Sequence, residues 1–369
     1  MILIIIFIFL FFILWKLSKN QLETFHPAWN DHTLYSQLSK RVRIGTWRGW
    51  LNINGLATLS ILENYSNIEI ILFDSSESTI DALLITKHID IAYVTEADYG
   101  IYISKKIQEK KNNQIFNKKY ILQNKNKILK NFTTRRVLTF YTIYRFLLVD
   151  NFKINKPYDI VGKTIQITNL TNAIHLLDLD LLKEVNYIKL FREADRSVSK
   201  YESINSLGLQ NDAYFTQYDI NNSNMIETSY NKNVSIIDLY SDNDEDKTNP
   251  FPKAEVILDK YFYLKKDKMN IQKYPEIVER RKKAIEYYNL PYDASNVNCY
   301  SFKLVMLSTE DVNSEAIYLF TKSVIDNIKS ITKILNHPDV NIKDMYKNSL
   351  SDILPIHPAV YNPNKYKTE

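Results

Sequence analysis

A single cysteine, Cys299, among 369 residues leaves no partner for an intrachain disulfide, so whatever core the chain builds must hold by packing alone. Glycine is scarce too, with 6 residues against 26 tyrosines. Together with the many Ile, Asn and Lys residues, that imbalance reads as the bias of an AT-rich genome, such as that of a protist or a large DNA virus, rather than as a structural demand. A strong charge of either sign is also missing. The 47 Lys and Arg against 42 Asp and Glu leave a net charge of +5, too mild at this length to suggest a nucleic-acid partner. No Ser-His-Asp order, metal-ligand cluster or phosphate-cradling loop stands out, so no catalytic residue, metal or cofactor is expected.

What is present begins with an apolar N-terminus. Ile2–Trp15 contains no polar residue, Leu17 extends the run, and Lys16 and Lys19 close it. Its length lies between a signal-peptide core and a minimal membrane span, and Lys16 can snorkel to lengthen it. No small-x-small cleavage site follows, which favours an uncleaved anchor over a removed signal. Residues 1–20 are therefore expected to be a transmembrane anchor or signal-anchor that contacts membrane lipid. The positive charges after the span would keep that side cytoplasmic. Residues 21–40 read as a linker, because Pro27 interrupts any helix and the apolar residues lack a period.

Arg41–Asp98 organises the rest. It reads as strand Val42–Gly45, a helix over about Leu51–Asn64, strand Ile68–Phe73, a helix over about Ser78–Thr86 and strand Asp90–Thr95. Short β-branched runs alternating with amphipathic segments signal βαβ units, hence an α/β fold with a parallel sheet flanked by helices. Ligands in such sheets sit beyond the carboxyl ends of the strands. The loops Thr46–Trp50, Asp74–Thr79 and Thr95–Asp98 all leave such ends.

Several fragments resemble, in order, the TAXI-type solute-binding subunits that feed TRAP transporters. They are Ile44-Gly45-Thr46, Ser75–Thr79, Asp90-Ile91-Ala92-Tyr93-Val94-Thr95-Glu96-Ala97-Asp98, Gly162-Lys163-Thr164-Ile165, Asn211-Asp212-Ala213-Tyr214-Phe215 and Leu354-Pro355-Ile356-His357-Pro358-Ala359. The resemblance implies a two-lobed type 2 periplasmic-binding-protein-like fold, each lobe a central sheet flanked by helices. Lobe 1 would span residues 41–149 and lobe 2 residues 150–290, with 291–369 returning to lobe 1 and supplying C-terminal helices. It further implies an extracytoplasmic or lumenal body and a membrane transport protein as partner.

Along the remaining chain, the basic segment Lys105–Lys130 reads as a solvated helical excursion. The apolar run Val137–Val149 reads as a strand heading toward the second lobe. Thr164–Thr168, Tyr187–Phe191, Asp212–Thr216 and Ile236–Leu239 read as further strands, with helices over Ala173 to about Val185 and about Val198–Leu207. Asp242, Asp244 and Asp246 have alternating carboxylate spacing, but Lys247 and Lys253 occupy the Gly and Glu positions that a calcium loop requires. Ala254–Leu264 reads as strand-like, Pro275–Tyr288 as a charged amphipathic helix and Tyr300–Leu307 as the returning strand. Glu315–Leu335 reads as one long helix, its apolar residues spaced three or four apart, and Asn341–Asn348 as a short one.

The resemblance implies a cleft receptor for a small organic anion, an amino or carboxylic acid, closed by hinge motion. By the resemblance, Gly45, Thr46, Ser78 and Thr79 sit at matching first-lobe loops, Asp98 and Tyr141 match less closely, and Thr171 or Asn172 offers a hydroxyl or amide from the second lobe. One departure is conspicuous: where the family has a Gly-rich turn, this chain has Thr46-Trp47-Arg48-Gly49-Trp50. Trp47, Trp50 and Arg48 can form an aromatic and cationic pocket, with Arg48 pairing to a carboxylate. Alternatively, Trp47 and Trp50 plug the cleft, and the chain is a non-binding membrane or virion-surface interaction protein. An enzyme would need Cys299 paired with His175, His337 or His357, and a buried lone Cys with packing histidines is the simpler reading. Glycosylation sequons at Asn64, Asn131, Asn169, Asn221 and Asn233 matter only in a secretory lumen.

Overall fold

The computed structural model describes residues 41–47, 60–64, 67–110, 133–167, 181–182, 188–190, 212–218, 234–243, 249–335, 345 and 354–361. The N-terminal run and the linker lie outside these, and among the described residues no helix is long and apolar enough to cross a membrane.

In the first half, β1 (Val42–Trp47) lies between β2 (Ile68–Phe73) and β3 (Ile91–Thr95), and all three are parallel. Parallel neighbours need crossovers, and α1 (Ser76–Leu84) supplies the one from β2 to β3. All five residues of β3 are buried, as expected for a parallel strand covered on both faces. α2 (Glu96–Lys110) follows directly. The chain then enters β4 (Thr134–Asp150), whose 17 residues span about 55 Å at the usual strand rise.

The second half repeats the pattern. β5 (Thr164–Ile167) lies between β6 (Ile188–Leu190) and β7 (Ala213–Tyr218), again all parallel. β8 (Val234–Ile237), α3 (Ala254–Lys260), β9 (Lys265–Asn270) and α4 (Pro275–Tyr288) follow. β10 (Asn296–Thr309) returns to the first half, where α5 (Ser314–Asp326) and α6 (Ile328–Leu335) pack.

One mixed sheet results, and its order is internally repeated. In the first half it reads β2-β1-β3-β10-β4, with β10 antiparallel to both neighbours. In the second it reads β6-β5-β7-β4-β8, with β4 antiparallel to both neighbours. Each half thus lends one long strand to the other, so the halves are joined by two crossover strands rather than by a linker. Residue alternation along β4 serves both faces: Ile143, Leu147 and Val149 enter one core cluster, and Phe146 and Leu148 the other. The open edge of β4 in the first half is covered by the C-terminal segment. Arg136 N–H donates to Pro355 O at 3.0 Å and His357 N–H to Arg136 O at 2.9 Å, which removes an unpaired edge.

Two expectations are corrected, and one strand was not expected. Ala254–Leu264 is not a strand: Ala254–Lys260 is helical, burying Ala254 and Ile257 on one face and leaving Val256 exposed. The adjacent Val-Ile-Leu run gave strand propensity, but the three-residue burial spacing decided the outcome. The strand here is β9, whose Lys265, Lys266 and Lys268 are exposed while Met269 is buried. It is a Lys-bearing strand paired to β10, the kind that sequence hydrophobicity misses. Finally, Glu315–Leu335 is two helices. Asn327 ends α5, its side chain donating to Ser323 O at 2.9 Å, while its own carbonyl accepts Ser330 and Ile331 N–H to start α6.

Candidate functional site

The strand registers set the geometry of the candidate site. Thr95, the last residue of β3, pairs with Leu304, next to Lys303, which pairs with Thr142 of β4. Tyr218, the last residue of β7, pairs with Tyr144. The carboxyl ends of the two parallel sets therefore confront each other across Tyr141–Tyr144, about 10 Å of one strand. Strand ends from both halves meet here, and sheets of this type hold ligands beyond such ends.

The first-half residues cluster at this edge. Gly45 is there for packing: a Cβ would lie 2.4 Å from Ile89 Cδ1 and 2.9 Å from Phe73 Cε2. Thr46 is buried and its hydroxyl donates to Tyr93 O at 3.0 Å, tying β1 to β3. Trp47 is half-buried, and its indole N–H donates to Asp74 O at 2.6 Å, joining the first two loops. Arg48 and Trp50 lie outside the described residues. Ser75 caps α1, its Oγ accepting Ser78 N–H at 3.0 Å and sitting 2.8 Å from Ser78 Oγ. Ser78 is exposed, whereas Thr79 is buried with its hydroxyl donated to Ser75 O at 2.9 Å.

The Thr95–Asp98 segment is a capping box. Asp98 N–H donates to Thr95 Oγ1 at 3.0 Å, and Thr95 Oγ1 donates to Asp98 Oδ2 at 2.7 Å. Glu96, also buried, accepts Lys303 N–H at 2.9 Å and fastens the start of α2 to β10 at the crossover. Two carboxylates thus already occupy the positive end of this helix. Tyr141 is buried on β4. Thr171 and Asn172 lie outside the described residues.

Sequence reasoning passed over Arg145, one step beyond Tyr144. It is fully buried, with its guanidinium 5.3 Å from the centre of the Phe215 ring. An arginine inside the apolar run Val137–Val149 was the available signal. Arg136, near the start of the same strand, donates to Thr139 Oγ1 at 2.8 Å. Burial lowers its pKa, against the opposing pull of Glu96.

The other candidates are separated from this edge. Cys299 is fully buried beside Val297, Phe146 and Tyr214, and burial raises its thiol well above the ordinary value, the reverse of what a nucleophile needs. His357 holds the covered edge of β4, and its Nδ1 accepts Ala359 N–H at 3.2 Å; His175 and His337 lie outside the described residues. Asp242 bridges Lys266 and Lys268 at 3.0 and 2.7 Å, while Asp244 and Asp246 lie outside. Asn64 is exposed, and the other four sequon asparagines lie outside the described residues.

No known family model matches the sequence, and no curated protein matches it. Solved structures similar to the chain include substrate-binding domain 2 of Lactococcus lactis GlnP in an open conformation, at 12% identity and a TM-score of 0.36, covering 81% of this chain and 95% of that one. An amino acid ABC transporter substrate-binding protein from Streptococcus pneumoniae bound to L-arginine is similar at 10% identity and 0.37, covering 80% and 93%. A TRAP periplasmic solute-binding protein from Ralstonia eutropha with bound (S)-2-acetolactate is similar at 7% identity and 0.36, covering 88% of each chain. At such values the fold and the site stand on strand order and register, not on likeness.

Proposed function

We propose that the chain is a solute-binding receptor-like protein of the type 2 periplasmic-binding-protein-like class, anchored to a membrane by residues 1–20, whose two lobes hold a small organic anion between them. The observation that supports this is the repeated strand order, which sets the carboxyl ends of β1 and β3 against those of β5 and β7 across Tyr141–Tyr144. Loops at such ends provide backbone N–H groups and helix termini suited to an amino or carboxylic acid. In this reading Arg48 pairs with the ligand carboxylate, Trp47 and Trp50 form the wall, and Ser78, Thr171 and Asn172 offer donors. A TAXI-like role beside a membrane transport protein belongs to the same reading.

One observation favours a second reading, in which the cleft is plugged and the body is a non-binding interaction module. Thr46, Thr79 and Asp98 make internal hydrogen bonds, and Trp47 is tied to Asp74.

The two readings part in thermal unfolding of the full chain in detergent, titrated with amino and dicarboxylic acids. An acid present at a hundred times its dissociation constant stabilises the native state by about 2.7 kcal/mol. A raised midpoint that Arg48→Ala abolishes supports the receptor. A cooperative transition that no acid moves supports the plugged cleft.

A further inference from the structure

The strongest unexplained surface lies at the far end of the second half. β4 ends at Asp150, and the turn that follows exposes Phe152 at 73% and Tyr158 at 54%. The last two residues of α4, Tyr287 and Tyr288, are exposed at 82% and 39%. The turn and the helix end are neighbours. Lys156 Nζ lies 4.6 Å from the centre of the Tyr288 ring, and that ring lies 4.8 Å from the Tyr287 ring. Asn155 and Pro157 of the turn line a shallow groove together with Ala284 and Ile285 of α4.

Large aromatic side chains left in water at one place call for a partner, and the chemistry around them indicates which. Lys153, Lys156 and Lys163 punctuate the same turn. Of the nearby carboxylates, Asp212 pairs with Lys153 and Glu286 lies beside Lys282, while Asp150 is turned to Phe152 N–H and Asp159 to the N–H groups of Asn155 and Lys156. Aromatic rings interleaved with lysines suit the headgroup region of a bilayer, rings at the interface and ammonium groups on lipid phosphates.

The chain outside the described residues makes that occupant reachable. After the apolar run, residues 21–40 extend to at most about 70 Å. β4 carries the body about 55 Å from the end where β1 begins to the aromatic turn. The tether is long enough for the body to lie along the surface that holds its anchor.

We propose that the turn at Asn151–Lys163 and the end of α4 dock the body onto an anionic lipid surface. The proposal takes from the functional reading only the anchor, which supplies proximity, and its test reads anchor and docking separately. Cys299 is the sole thiol and is fully buried, so Tyr287→Cys in the full chain takes a polarity-sensitive label at one place. Ile85→Cys, at a first-half position 63% exposed, is the reference. The chain is reconstituted into phosphatidylcholine vesicles with and without phosphatidylserine.

The expected result is a blue shift at Tyr287→Cys with phosphatidylserine, none with phosphatidylcholine alone and none at Ile85→Cys. Lys156→Ala combined with Lys163→Ala should lower the docked-to-undocked ratio roughly thirtyfold. Co-flotation with phosphatidylcholine vesicles, on which no docking is expected, reads the anchor. If the chain floats and the Tyr287→Cys label stays as in water, docking is overturned. If the chain does not float with phosphatidylcholine, the anchor fails, and a blue shift with co-flotation on adding phosphatidylserine vesicles still supports docking, whereas the absence of both overturns it. A blue shift that needs no vesicles and grows with protein concentration assigns the patch to a second copy and overturns the proposal.

Discussion

Arg281→Met should be among the most damaging single substitutions in the second half of the sheet. Arg281 and Asp238 are each 4% exposed and meet at 3.0 Å. The guanidinium also donates to Ile236 O at 2.6 Å, Asp293 O at 3.0 Å and Ala294 O at 3.2 Å, while Asp238 Oδ1 accepts Asn298 N–H at 2.8 Å. One side chain therefore binds α4, β8 and the approach to β10. Methionine keeps the packing volume but strands a buried carboxylate, which costs about 3–5 kcal/mol, or a midpoint lower by on the order of 10 °C. The pH dependence has a definite sign. Burial already raises the pKa of Asp238, against the pull of Arg281, and without Arg281 it rises further. A carboxyl whose folded pKa exceeds its unfolded value favours the folded state below the unfolded value, and that benefit is lost as pH rises through the folded value. The deficit of Arg281→Met relative to the parent should therefore shrink between about pH 7 and pH 4. Urea or thermal unfolding of both proteins across that range measures it. A deficit below about 1 kcal/mol, the worth of an exposed pair, or one equal at both ends of the range, would refute the reasoning.

Gly45→Ala should destabilise by about 1–3 kcal/mol through overpacking, because the new methyl meets Ile89 and Phe73; an unchanged urea midpoint would mean that those side chains move aside without cost. His357 is buried and its pKa is lowered by that burial. Its contribution is thus present above the unfolded value of about 6.5 and lost as pH falls through the folded one. Stability should decline between about pH 7.5 and pH 5.5, and His357→Asn, which keeps an acceptor for Ala359 N–H, should flatten that decline in pH-dependent unfolding.

How far the fold was legible follows from the range of the forces involved. The βαβ alternation of Val42–Thr95 is local, so its periods showed in the sequence, whereas Thr95–Asp98, which reads as a loop, is the capped start of α2. β4 was recognisable from its apolar run, though Arg136 and Arg145 inside that strand gave no sign of where they would be buried. What escaped is non-local. β9 exists because β10 presents an edge to it, and Arg281 finds Asp238 from 43 residues away. Neither partner is visible from the other.

The site divides the same way. Its proposed position follows from strand order, and the registers set the ends of β1, β2 and β3 side by side. The use of each polar group depended on neighbours across the sheet. Thr46 spends its hydroxyl on Tyr93 because β3 lies beside β1, and Asp98 spends its carboxylate on the start of its own helix. Residues that make the loops look like a binding motif thus also build the edge that would carry one. If an anion binds there, the two carboxylates on the first turn of α2 oppose its approach to β3. The proposed carboxylate pairing then falls to Arg48, which is why removing that one side chain, rather than any of the buried hydroxyls, separates a receptor from a scaffold.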